Sequence, residues 1–131
     1  MSGHDIDTVG LPYAPGEVPA KPDVGIEPFA LLDLRVGRII EAAPFPAART
    51  PAWQLTIDLG PVIGVRRSSA QLTRYTAEQL RDRRVVCAVN LGPRTIAGFT
   101  SEVLVLAGLA ADGAPHLLGL DEELPAGSVV A

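Results

Sequence analysis

A small all-β barrel is the fold this sequence predicts, on three observations. Short apolar runs rich in Val, Ile and Leu recur along most of the 131 residues, separated by glycine and proline. Five or six such runs read as strands, and only one segment, residues 76–83, carries a clear helical pattern. Hydrophobic residues make up 47% and charged residues 20%, which suits one packed domain, and at 5% aromatic the core must be mostly aliphatic.

Taken in order, residues 1–28 hold Pro12, Pro15, Pro19, Pro22 and Pro28 and show no sustained periodicity. Proline removes backbone donors and fixes φ, so this stretch predicts an N-terminal extension with little structure of its own. The body of the chain is then residues 29–131. "PFALLDL" predicts one helical turn. "DLRVGRIIEAAPF" predicts a strand with a bulge or bend at Gly37. "AWQLTIDL" alternates, with Trp53, Leu55, Ile57 and Leu59 on one face and Gln54, Thr56 and Asp58 on the other. "VIGVRRS" predicts the third strand. In "TAEQLRDR", Thr76 followed three residues later by Gln79 has the spacing of a capping box. "RVVCAVNL" and "SEVLVLAGL" predict two apolar strands, "APHLLGLD" a shorter one, and "LPAGSVVA" a turn with a final edge segment. A five-stranded barrel with one short helix between strands three and four, and extra segments at the termini, has the layout of an OB-fold.

Composition narrows the function. The formal charge of −4 belongs to the extension, where Asp5, Asp7, Glu17, Asp23 and Glu27 face only Lys21. The body is neutral and carries its positive charge entirely as arginine. It therefore has no strong global field for a polyanion. No apolar run reaches the roughly 18 residues of a membrane span. The first residues lack a basic-then-apolar leader pattern, and the single cysteine makes no internal disulfide, so the expected compartment is the cytoplasm, without membrane insertion.

Catalytic and metal chemistry find no support. His4, Cys87 and His116 have no zinc spacing, and Cys87 reads as a small core residue. His116 follows a turn and reads as a surface residue. Ser68 and Ser69 lack a nucleophile elbow, and nothing in the spacing brings Asp58 to Glu102. There is no phosphate loop and no dinucleotide fingerprint, so no cofactor is expected and the chain reads as a binder, not an enzyme. The cluster "GVRRSSAQLTRY" is the natural place to look. Arg66 and Arg67 are adjacent on a strand and must face opposite ways, so one of them faces any groove. Ser68, Ser69 and Gln71 suit hydrogen bonding to a ligand backbone, and they equally suit a capped strand exit.

"DLRVGRIIEA", "PAARTPAWQLTIDLG", "GVRRSSAQLTRY" and "NLGPRTIAGFTSEVLVL", in this order, resemble the tRNA-binding-domain family. That family includes CsaA-type secretion chaperones and the C-terminal domain of bacterial methionyl-tRNA synthetases, and the freestanding chain is most similar to the CsaA type. The resemblance spans residues 29–131 and implies an OB-fold, a homodimer and a pocket. By matching motif the pocket is Arg35, Ser68, Ser69, Ala70, Gln71, Asn90, Ser101 and Glu102, and Arg94 matches a basic position in the loop preceding the last long strand. The alternative for Asn90 and Glu102 is a buried polar pair supporting the barrel. Leu91, Gly92, Thr95 and Thr100 stand where relatives often carry an aromatic, a proline and two basic residues, which implies a thinner RNA-binding rim. Two functions are implied. One is a homodimeric export chaperone that binds unfolded or precursor polypeptides. The other is a freestanding tRNA-binding protein acting in trans by shape and phosphate recognition. The acidic extension is a further expectation, as a phosphate mimic lying over the groove.

Overall fold

The structure, a computed structural model, describes residues 13–131. The part of the expected extension in residues 1–12 lies outside the described residues. Residues 15–32 are exposed throughout and hold only a 3₁₀ turn at Pro15–Glu17 and the helical turn α1 (Glu27–Ala30).

Five strands form one antiparallel sheet: β1 (Leu34–Pro44), β2 (Trp53–Asp58), β3 (Val65–Ala70), β4 (Arg84–Ala88) and, after the hairpin of β5 (Arg94–Ile96) and β6 (Phe99–Ser101), the short β7 (Leu104–Val105). Their order is β3-β2-β1-β4-β7. A last hairpin joins β8 (Ala107–Leu109) to β9 (Pro115–Leu117). The sheet curls into a nearly closed barrel because the 11-residue β1 serves two neighbours. It pairs with β4 over Leu34–Arg38 and with β2 over Arg38–Pro44, and its register shifts between Ile39 and Glu41. Such a bulge bends a strand and increases its twist.

The expected bend at Gly37 is therefore two to four residues further on. Gly37 is glycine for a different reason: a Cβ there would lie 2.6 Å from Ile57 Cγ2 and 2.9 Å from Leu59 Cδ2. The alternation read in "AWQLTIDL" holds. Leu55, Ile57 and Leu59 are fully buried and pack with Ile39, Leu80, Val85 and Cys87. Each such aliphatic side chain contributes about 1.5–3 kcal/mol by leaving water.

The helix between the third and fourth strands is α3 (Ala77–Leu80). The Gln79 N–H donates to Thr76 Oγ1 at 3.1 Å and the Thr76 N–H to Gln79 Oε1 at 2.8 Å, which closes the expected capping box. A further helical turn, α2 (Gly60–Ile63), takes up Val62 and Ile63, so the third strand begins at Val65 and not at Val62. The segment "SEVLVLAGL" is not one strand. It divides among β6, β7 and β8, because Ser101 and Glu102 turn their side chains to β3 instead of continuing a ladder. "LPAGSVVA" ends as an edge: Ser128 O accepts from the Val36 N–H at 2.8 Å, and the Val130 N–H donates to Leu34 O at 2.9 Å. No helix among the described residues is long and apolar enough to cross a membrane.

Candidate functional site

The edge of β3 left open by the sheet faces residues 101–103, and side chains close this gap. The Arg67 N–H donates to Glu102 Oε1 at 3.0 Å, and two residues along, the Ser69 N–H donates to Ser101 Oγ at 3.0 Å. The Glu102 N–H returns a bond to Arg67 O at 2.8 Å. Edge donors at i and i+2 are thus satisfied by a carboxylate and a hydroxyl standing where a neighbouring strand would offer carbonyls. Ser68 points the other way. It is buried opposite Leu55, and its hydroxyl donates to Val103 O at 2.8 Å. Ser68, Ser69, Ser101 and Glu102 are therefore brought together, in a seam that shuts the barrel.

The register decides the two arginines. Arg66 stands opposite the buried Ile57, and Arg67 opposite Thr56 on the outer face. Arg66 Nε lies 3.8 Å from Glu102 Oε2, a partly exposed pair of small net value. The Arg67 guanidinium lies 4.3 Å from the centroid of the buried Phe99 ring, which in turn packs on Phe45 with ring centroids 5.3 Å apart. No carboxylate lies within ion-pair distance of Arg67 among the described residues. A flat, fixed guanidinium with its N–H edge open to solvent is the arrangement that forks onto phosphate or stacks on a base. Gln71 and Ala70, both half-buried, follow at the end of β3, and Arg94 is half-buried opposite Ser101 on the β5–β6 hairpin.

Arg35 and Asn90 sit at the start of β1 and just past the end of β4. Arg35 Nε meets Asp33 Oδ1 at 2.6 Å, and its Nη1 donates to Gly127 O at 3.3 Å. The hydrogen bond to Asp33 and that carboxylate's charge raise its pKa against the opposing effect of desolvation. Asn90 is exposed. Its Oδ1 accepts from the Asp33 N–H and its Nδ2 donates to Leu31 O, each at 2.8 Å. Asn90 and Glu102 thus have separate partners, and the alternative of a buried pair between them is not what the structure shows. Arg35 and Asn90 anchor the start of β1, apart from the seam bonds.

Cys87 is buried in the core, where desolvation pushes its thiol pKa up to about 12. His116 is exposed on β9. Among the described residues no three His, Cys, Asp or Glu side chains gather as a metal site.

Sequence reasoning passed over two aromatic platforms. Phe99 is one, buried between Arg67 and Phe45. Tyr75 is the other: the guanidiniums of Arg74 and Arg83 each lie 5.0 Å from its ring centroid. Its hydroxyl accepts from the Leu117 N–H at 2.9 Å and from Arg74 Nη1 at 3.1 Å. Burial pushes the Tyr75 pKa up, but those two bonds and the charges of Arg74 and Arg83 outweigh it and hold the hydroxyl below its ordinary value. The available signal was the repeated Arg–aromatic proximity in "TRY", which is weak without the register.

Residues 34–129 match the family described as "Putative tRNA binding domain". The methionine–tRNA ligase of Bacillus subtilis (strain 168) is 34% identical over 119 residues, covering 87% of this chain and 17% of that protein. The methionine–tRNA ligase of Protochlamydia amoebophila is 38% identical over 112 residues, covering 85% of this chain and 15% of that protein. The chain thus spans less than a fifth of the length of these ligases. Among solved structures, the chaperone CsaA from Bacillus anthracis is 43% identical with a TM-score of 0.79, covering 84% of this chain and 100% of that one. The CsaA chaperone from Picrophilus torridus is 38% identical, also with a TM-score of 0.79, covering 83% of this chain and 100% of that one.

Proposed function

The chain belongs to the tRNA-binding-domain family and is of the CsaA type within it, and on that footing we propose that it is a cytoplasmic binding protein that takes tRNA in trans. The observation that carries this reading is Arg67, an outward guanidinium without an acidic partner among the described residues, laid on Phe99 beside the barrel seam. Around it we assign Ser69, Gln71 and Arg94 to the binding face, while Arg66, on the other face of the strand, stays with Glu102. Ser68, Ser101 and Glu102 hold the backbone that presents it, while Arg35 and Asn90 anchor the start of β1. Folded RNA displays phosphates and 2′-hydroxyls, so such a face reads shape before sequence.

Titrating fluorescently labelled bulk tRNA at about 50 and 200 mM salt tests this, since phosphate contacts release counterions over that range. Binding should weaken steeply with salt. Arg67→Ala should lower affinity several-fold and flatten the salt slope by about one unit. A salt-indifferent isotherm, or no binding at low salt, would refute the reading.

A second reading is favoured by a separate observation. Ile26, Phe29, Leu31 and Leu32, in and around α1, are all exposed apolar residues. That patch supports a homodimer through a second copy of the chain, and the holding of unfolded or precursor polypeptides as an export chaperone.

A further inference from the structure

We infer that Arg74 and Arg83, gathered on the ring of Tyr75 beside α3, form a second phosphate site, outside the β3 seam, that takes a phosphodiester of the bound RNA. The inference rests on the tRNA-binding reading above.

Two guanidiniums, each 5.0 Å from the centroid of one ring, put two positive charges on one aromatic platform. Among the described residues neither has a carboxylate within ion-pair distance. The acid nearest in sequence, Asp82, is already held by Arg38 Nη1 at 2.6 Å. Two positive charges on one ring attract a polyanion that can reach both. Arg74 spends one N–H on the Tyr75 hydroxyl, and the remaining donors of the two guanidiniums can fork onto an oxyanion.

The platform is fixed from three sides. The Tyr75 ring is buried, its hydroxyl is held by the Leu117 N–H from β9 and by Arg74, and its carbonyl accepts from the Trp53 indole at 3.2 Å. A fixed ring holds both guanidiniums near one place on the surface, which lowers the cost of ordering them on binding. The ligand is a polyanion with tetrahedral oxyanions, and the RNA backbone supplies a row of them.

Trp53 is the single tryptophan of the chain, so its indole N–H gives one unambiguous NMR cross-peak bonded directly to Tyr75. Adding tripolyphosphate to the full-length protein should move that peak saturably, and Arg74→Gln/Arg83→Gln should abolish the movement. The same double variant should bind labelled tRNA about tenfold more weakly, with a salt slope smaller by about one to two units. Arg74→Gln alone, at an exposed position, keeps the test open if the double variant folds poorly, and should show part of both effects. Wild-type affinity and slope in the variants, with Arg67→Ala still impaired, would overturn this site and leave the tRNA reading standing. A peak that moves with tripolyphosphate in a protein that binds no tRNA would overturn that reading and the RNA ligand, and keep the anion site. An unresponsive peak in the wild type would overturn the site outright.

Discussion

Ser68 and Ser69 are neighbours with opposite fates. The first buries its hydroxyl against Val103 O, while the second offers its backbone N–H to Ser101. Strand alternation dictates that they part, but the phase comes from Leu55 across the sheet, which the motif itself does not contain. Cys87 was legible as a core residue because its strand is apolar on both sides, and its burial has a measurable consequence. Its thiol ionises near 9.0 when unfolded and near about 12 in the fold. Between those values the unfolded chain has released a proton that the folded chain retains, so stability falls as pH rises, by about 1.4 kcal/mol per unit. Denaturant unfolding at pH 8 and pH 10 should show the wild type losing about 1.4 kcal/mol more than Cys87→Ala across that interval. The depressed Tyr75 acts with the opposite sign in both proteins and cancels in the comparison. Parallel losses in the two would show that the thiol does not set the alkaline limb. Arg67 on Phe99 was not legible, because residues 32 positions apart meet only through the seam.

At the scale of elements, the seam joins β3 to the start of "SEVLVL". Glu102→Ala removes the acceptor for the Arg67 N–H and should cost about 1–2 kcal/mol, as Ser101→Ala should for the Ser69 N–H. Glu102→Gln keeps an acceptor oxygen at the same place and should stay within about 0.5 kcal/mol of wild type. Chemical denaturation of the three variants checks this. An equal loss in Glu102→Gln would mean that charge, not the hydrogen bond, holds the seam. The capping box of α3 and the β2 alternation were readable because they depend on spacing within one element. The bulge at Ile39/Glu41 and the division of "SEVLVLAGL" were not, because each is imposed by a partner strand.

At the scale of the molecule, the barrel followed from strand count, punctuation and the helix position, which are global properties of the sequence. What the barrel leaves uncovered is the apolar turn around α1, with Ile26 at 74% and Leu31 at 77% exposure. On the dimer reading, light scattering should give about twice the 13.7 kDa chain mass, and Ile26→Asp/Leu31→Asp should return it to the monomer value. A monomeric wild type would leave that surface to polypeptide substrates.

The bond between Arg35 and Gly127 spans 92 residues, and the main-chain bonds of Val36 to Gly127 and Ser128 lie beside it. At a synthesis rate of about 5–20 residues per second, β1 leaves the ribosome roughly 5–18 seconds before the segment that covers its edge. Throughout that interval the start of β1, Leu34 to Val36, waits without the segment that covers it, open to any extended peptide nearby. The barrel is thus finished from its far end backwards, and its most vulnerable moment falls during its own translation.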